Sequence, residues 1–483
     1  LNQHYYLGID IGTTATKAVA FSDTGAVLAI ESVQYHMQHP QPGWSEQDPN
    51  EILEGVINCI NKVVRSLEPK EPAFLSFSAA MHSVLAIDEN WEPLTPSIIW
   101  ADNRAADIAA ALLQSGLGRQ FYQATGVPVH SMSPLCKLLW LKQYQPAVFE
   151  KASTFIGIKE YVFLKLFNAC IVDTSLASAT GLLHLESLQW HAPILAHIGI
   201  TEEQLSPVVP TKHVLHYTGD HPRLSIPVNT PIVIGGSDGG LSNLGTTGKD
   251  SNALVATIGT SGAVRILSNK FQTDANMRTF CYHVKDHVFI IGGATNNGAI
   301  VLQWLKETLL QTEDSYEALL KQAETISAGS EGLLFLPYLL GERAPIWNAN
   351  AKGVFFGLSV QHSKAHLVRS ALEGVIYCLY SIGSVLFEQQ VSSDLFATGG
   401  FARSDLWLQI LADVFNRKVK VSSALESAAL GAVILGAEAT GMIGAFENKV
   451  EKVYHPDAAN HAVYQKEFVR FQRLYEAVKG EMK

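Results

Sequence analysis

The chain has 483 residues, a net charge of −10, 47% apolar residues and 17% charged residues. That length implies two or three domains of ~100–200 residues each, and the composition is that of a well-buried globular protein rather than a disordered one. The negative balance argues against a nucleic-acid scaffold, yet it leaves room for a locally positive site that takes an anion.

Residues 5–9, 17–21 and 27–33 read as strands separated by the polar turns DIGTT and DTG, an antiparallel meander. Apolar residues at 52, 53, 56, 57, 60, 63 and 64 follow with helical spacing. Asp48 is placed to cap that helix, with Pro49 at its first position. FLSFSAA (74–80) is a short buried strand, so the first quarter reads β-β-β-α-β. Composition shifts at GGSDGGLSNLGTTG (235–248), a Gly-rich hinge candidate. The domain boundary is placed there, giving domains 1–243 and 244–483.

ALVATIGTSGAVRIL (253–267) reads as strand, polar turn, strand. A long helix is expected over 366–387 and a strand entering a Gly-Gly turn over 394–400. Residues 406–415 then read as a helix, 418–421 as a strand and 426–439 as a helix, with an amphipathic terminal helix from Asn460. AALGAVILGAEATGMIGAF (428–446) is apolar but broken by Glu438, and reads as a tightly packed helix and a turn. LNQHYYLGID has no basic segment followed by an apolar core, so neither a signal peptide nor a membrane span is expected. Cys59, Cys136, Cys170, Cys281 and Cys378 are scattered and never form C-x-x-C. That pattern fits a reducing cytoplasm rather than a disulfide framework or a zinc site.

Set side by side, IGTTATKAV and IGTSGAVRI place the same I-G-T-[TS] turn between two apolar runs, half a chain apart. A duplicated domain accounts for this; a short chance match is the alternative. Small residues let backbone N–H groups approach an anion, and hydroxyls add donors. Asp10, beside the first turn, makes sense near phosphate only if Mg²⁺ lies between them. Lys17 either adds positive charge or caps a strand at the surface. Asp238, among four glycines, is placed to take a proton from an attacking hydroxyl, or is an ordinary turn residue. TGG (398–400) permits close approach of a nucleotide, or is a structural turn. AMHS and WADNR set Met81, His82, Trp100, Asp102, Asn103 and Arg104 at strand ends, a polar and aromatic mix that suits a polyol. Alternatively, His82 and Trp100 are core residues and Asp102 and Arg104 a surface pair.

Longer ordered stretches carry a resemblance. GIDIGTTATKAV, IGTSGAV, MSPLCKLLWLKQY, GERAPIW, GVFFGLSVQHSKAHLVRSALEG and TGGFARSDLWLQILAD resemble the FGGY carbohydrate kinases, essentially end to end. The resemblance implies an α/β fold of two actin-like (ribonuclease H-like) ATPase domains with sugar and Mg-ATP in the cleft between them. It implies Asp238 as catalytic base and Asp10 as organiser of Mg²⁺. Thr13 and Thr14, with Lys17 nearby, would meet the transferring phosphate, and Gly259 and Thr260 would hold phosphates from the other side. Gly399, Gly400 and Ser404 would lie near the adenosine, although many family members carry Asn where Ser404 stands. NNGAIVLQWL (296–305) resembles a further nucleotide-lining stretch. Met81-His82 resembles the substrate dipeptide of xylulokinases, while SAAMHSVLAID and WADNR look more like the gluconate kinases, with Arg104 and His82 as candidate cations or N–H donors for a carboxylate. D-gluconate is the leading substrate, D-xylulose the rival, and another pentulose comes next. A non-catalytic sugar or nucleotide sensor is a remote alternative. The expected partners are a small sugar or sugar acid and no nucleic acid or membrane; family members are often dimers or tetramers, so a homodimer is compatible.

Overall fold

The computed structural model describes residues 4–219, 221–248, 253–389, 394–422, 426–442, 444, 446 and 450–482. Two mixed sheets, one from each half of the chain, organise everything else.

The first sheet uses β1 (His4–Ile11), β2 (Ala15–Phe21), β3 (Val27–Gln34), β4 (Glu71–Ala79), β5 (Val214–His216) and β6 (Pro231–Ser237), in the order β5-β6-β4-β1-β2-β3. β1, β2 and β3 form the expected antiparallel meander, and β4 lies parallel to both β1 and β6. Helix α1 (Pro49–Ser66) covers one face. Its Asp48 cap accepts from the Asn50 N–H at 2.8 Å, and Ile52, Val56, Ile60 and Val63 are buried at helical spacing. Helices α2 (Pro134–Tyr144) and α3 (Ile158–Phe167) belong to this half. α3 joins α1 and the sheet in one apolar core.

Helix α4 (Asp238–Thr247) follows β6 directly. The Gly-rich stretch read as a hinge is therefore helical, and the boundary drawn at residue 243 falls inside this helix.

The second sheet uses β7 (Leu254–Ile258), β8 (Gly262–Ser268), β9 (Phe280–Lys285), β10 (Val288–Thr295), β11 (Leu395–Thr398), β12 (Val419–Ser422) and β13 (Val450–Tyr454), in the order β9-β10-β8-β7-β11-β12-β13. The hairpin β7–β8 continues antiparallel to β10, and β11 lies parallel to β7 and β12. This is the arrangement of β1–β2, β3, β4 and β6, so the matching turns sit at equivalent places in two copies of one topology.

Helices α5 (Lys364–Gln389), α6 (Asp405–Phe415) and α8 (Ala458–Val478) pack on the second sheet. α5 is long and apolar enough to cross a membrane, but 78% of its most apolar window is buried inside the protein, as a core helix requires. Helix α7 (Ser427–Thr440) comes late in the chain, yet it packs on the first sheet, its Ala429, Leu430 and Val433 against Val19, Phe21 and Phe74. A Cβ on Gly431 would stand 1.9 Å from Leu241 O, and one on Gly245 would stand 2.0 Å from Ser427 O. Backbone therefore meets backbone where α4 crosses α7, and only glycine allows it. The turn after α7 lies partly outside the described residues. All five cysteines are free.

Candidate active site

The two repeated turns face one cavity of about 240 Å³ between the sheets. In the first turn, Gly12 N donates to Ala15 O at 3.0 Å. Thr13 is held from two sides: its hydroxyl accepts from Trp100 Nε1 at 2.9 Å and its carbonyl accepts from Gln47 Nε2 at 2.6 Å. Thr14 is exposed. The second turn closes similarly, with Gly259 N donating to Ser261 O at 2.9 Å and Thr260 exposed. A Cβ on Gly259 would meet nothing within 4 Å, which leaves open space above the turn for a phosphate. Gly298, in the further stretch 296–305, packs under this turn and donates from its N–H to Thr260 O at 3.1 Å.

Asp238 opens α4 and lines the cavity. The preceding Ser237 caps the helix, accepting from Gly240 N at 3.3 Å, and Asp238 Oδ1 accepts from Gly239 N at 2.6 Å. A Cβ on Gly239 would come within 3.1 Å of Met81 Cε and 3.3 Å of Arg265 Nε, so the residue after the carboxylate has to be small. Burial pushes the Asp238 carboxyl above its ordinary value, opposed by the Arg265 charge and the Gly239 N–H.

Asp10 ends β1 opposite Lys17 on β2. Its Oδ1 is buried without a hydrogen-bond partner among the described residues. Burial, and then the charge of Asp238, push its carboxyl up to about 6. A buried carboxylate with one oxygen unpartnered, beside a second carboxylate, is a donor set that fits a hard divalent cation such as Mg²⁺. Lys17 is a paired cation: its Nζ donates to both carboxylate oxygens of Glu426, at 2.9 Å each, and so joins β2 to the residue that precedes α7.

Of the residues expected to meet the sugar, Met81, His82 and Trp100 line the cavity, and Met132, Tyr282 and Trp347 lie alongside them. His82 is buried, with φ +68°. A carbonyl can only accept, so the 2.8 Å contact from His82 Nδ1 to Ala179 O fixes the proton on Nδ1 and leaves Nε2 as an acceptor. Burial and the neighbouring Lys137 charge push this imidazole down to about 3. His82 is thus neutral, and its expected service as a cation is corrected. Lys137 on α2 donates to His82 O, Ile98 O and Ile99 O at 2.6, 3.1 and 2.8 Å, tying together the two segments that carry His82 and Trp100.

Asp102 and Arg104 lie outside the cavity lining. Arg104 donates to Asp102 from Nε and Nη2, at 2.9 and 2.8 Å, and to Glu46 Oε1 at 2.6 Å. Its guanidinium carbon stacks 3.7 Å from the centre of Trp44, and its side chain is 2% exposed. The cluster is neither a surface pair nor open to a ligand, because its charges are already spent on one another.

Of the residues expected near the nucleotide, Gly399 has φ +98°, and a Cβ there would stand 2.4 Å from Ile258 O. Gly400 borders open space. Ser404 caps α6, its hydroxyl accepting from Trp407 N at 3.3 Å, so the helix engages the group that was expected near adenosine.

The cavity also holds two cations that were not singled out, Arg265 and Arg343. Arg343 donates from Nη2 to Thr295 O at 3.2 Å and lies 4.7 Å from the Trp100 ring centre. Burial pushes it down to about 10, so it keeps its charge at neutral pH. A signal for Arg265 existed: it is the one charge in the apolar run AVRIL.

A model of the FGGY family of carbohydrate kinases matches its N-terminal domain to residues 5–245 and its C-terminal domain to 254–440. A gluconokinase of Bacillus licheniformis is 44% identical over 99% of this chain and 96% of its own length. A xylulose kinase of Staphylococcus epidermidis is 30% identical over 98% of this chain and 97% of its own. Among solved structures, a gluconate kinase from Lactobacillus acidophilus superimposes with a TM-score of 0.95 at 36% identity, covering 99% of both chains. A ligand-bound xylulose kinase from the same organism gives the same figures.

Proposed function

The chain belongs to the FGGY family of carbohydrate kinases, and from that premise we propose that it transfers the γ-phosphoryl group of ATP to D-gluconate, giving 6-phospho-D-gluconate and ADP. The observation that carries the chemistry is Asp238 in the cavity faced by both phosphate turns. The substrate assignment is supported by 44% identity to a gluconokinase against 30% to a xylulose kinase. D-xylulose is the second reading, favoured by Met81 and His82 at the cavity wall and by the ligand-bound neighbour. Five free cysteines fit a reducing cytoplasm.

The steps follow from the side chains. His82 Nε2 accepts from a sugar hydroxyl, and Met81 and Trp100 pack against the carbon chain. The primary hydroxyl lies at Asp238, whose carboxylate takes its proton as the oxygen attacks phosphorus in line with the departing ADP. Thr13 and Thr14 hold the transferring group from one sheet, and Gly259 and Thr260 hold phosphates from the other. Gly399 and Gly400 leave room for the adenosine. Asp10 would hold Mg²⁺, which would neutralise phosphate charge. Positioning by both sheets lets closure exclude water.

The experiment is turnover of D-gluconate with Mg-ATP and identification of the product by phosphorus NMR. Phosphate on C6 supports the reading, and phosphate elsewhere contradicts it. Asp238→Asn keeps the shape and removes the base, so kcat is expected to fall ~10²–10⁴-fold with gluconate affinity nearly unchanged. Near-normal turnover would reject Asp238 as the base.

A further inference from the structure

Arg265 and Arg343 are the two cationic side chains among the residues lining the cavity. The Nε atom of each is buried without a hydrogen-bond partner among the described residues. Arg343 is 8% exposed and aimed by Thr295 O and the Trp100 ring. Arg265 projects from β8 through space that two glycines leave open: a Cβ on Gly292 would stand 3.0 Å from its Cα and Cγ, and one on Gly239 would stand 3.3 Å from its Nε. The Arg265 charge disfavours that of Arg343, while the Asp238 carboxylate favours the charge of Arg265. Two like charges with unspent donors in one recess form a place where an anion is stabilised and a neutral group is not.

We propose that Arg265 and Arg343 together receive the carboxylate of an aldonic acid and so set the preference of this site for a sugar acid over a neutral sugar. The inference rests on the reading of the site as a gluconate kinase. His82 and Arg104 do not serve: one is neutral and the other is closed within its own ion cluster. Planar guanidiniums match the two oxygens of a carboxylate, and Arg343, stacked on Trp100, connects acid recognition to the Thr13 turn through the Trp100 to Thr13 hydrogen bond.

The test compares D-gluconate with D-glucitol, which has a CH₂OH group where gluconate has its carboxylate. kcat/KM with Mg-ATP, and Kd by calorimetry without nucleotide, are measured for the wild type, Arg265→Gln and Arg343→Gln. The readout is the gluconate-to-glucitol ratio, because any effect of Arg265 on Asp238 falls on both acceptors alike. Each variant is expected to lower that ratio ~100-fold or more, mainly through KM and Kd for gluconate. Arg265→Lys, which keeps the charge without the fork, should recover part of the loss and serves as the folded variant if Arg265→Gln is unstable. An unchanged ratio, with both acceptors losing equally, would overturn the inference and assign the guanidiniums to the phosphoryl group. That result leaves the gluconate reading standing. A wild type without gluconate turnover would overturn both.

Discussion

Asp10 shows what it costs to hold a buried carboxylate beside another. Its folded value, about 6, lies above the ordinary 3.8 because burial and Asp238 disfavour the charge. A raised carboxyl means the folded state binds a proton more tightly than the unfolded state. The penalty for ionising Asp10 is therefore absent below pH 3.8, grows as pH rises, and is complete above about 6. Asp10→Asn removes it: without Mg²⁺, the variant is expected to melt higher than wild type at pH 8, by ~1–2 kcal/mol, and about equally at pH 4, while losing turnover. Equal or lower melting at pH 8 would reject the assigned strain. By the same sign, the raised Asp238 carboxyl puts the acid limb of the kcat/KM profile above the ordinary carboxylate range, and a limb at or below pH 3.8 would contradict its role. At this scale local patterns in the sequence point to Thr13, Asp238 and Gly259, and the fold brings these three to one cavity. The sequence misled for Arg104 and His82 because residue type does not say which partners consume a donor. Arg104 spends its guanidinium on Asp102, Glu46 and Trp44, contacts up to 60 positions apart in the chain that no short motif displays.

At the level of elements, hairpins and amphipathic helices were legible because each carries its own period. β1–β2, β7–β8 and α1 appear where alternation and capping put them. Residues 235–248 were not, because glycine marks two different things: a flexible turn or a close approach. Here most of the stretch is helix α4, and Gly245 lets its backbone meet α7, where Gly431 does the same in return. Only the fold distinguishes the cases. Gly431→Ala pushes a methyl group into Leu241 O and is expected to destabilise by ~1–3 kcal/mol, read as a lower denaturation midpoint. An unaffected midpoint would mean that the α4–α7 crossing is looser than described. Ser404 teaches the same lesson on a smaller scale, since a serine before an apolar run is first a helix cap.

For the whole molecule, one topology occurs twice and the two copies face each other across Asp238. α7 returns from the second half to cover the first sheet, and Lys17–Glu426 and Ser242–Ser427 fasten the halves beside that crossing. This placement suits the proposed mechanism, in which each turn holds phosphate from its own half and Asp238, the proposed proton acceptor, lies at the start of the helix that joins the halves. The measurement that tests this account most directly is kcat/KM with Mg-ATP across D-gluconate, D-xylulose, D-ribulose, L-ribulose, L-rhamnulose and glycerol. The account predicts a strong preference for D-gluconate in the wild type, and turnover that falls on every acceptor in Asp238→Asn. A preference for D-xylulose would contradict the substrate assignment and leave the fold and the base in place, whereas turnover that survives loss of Asp238 would contradict the mechanism itself.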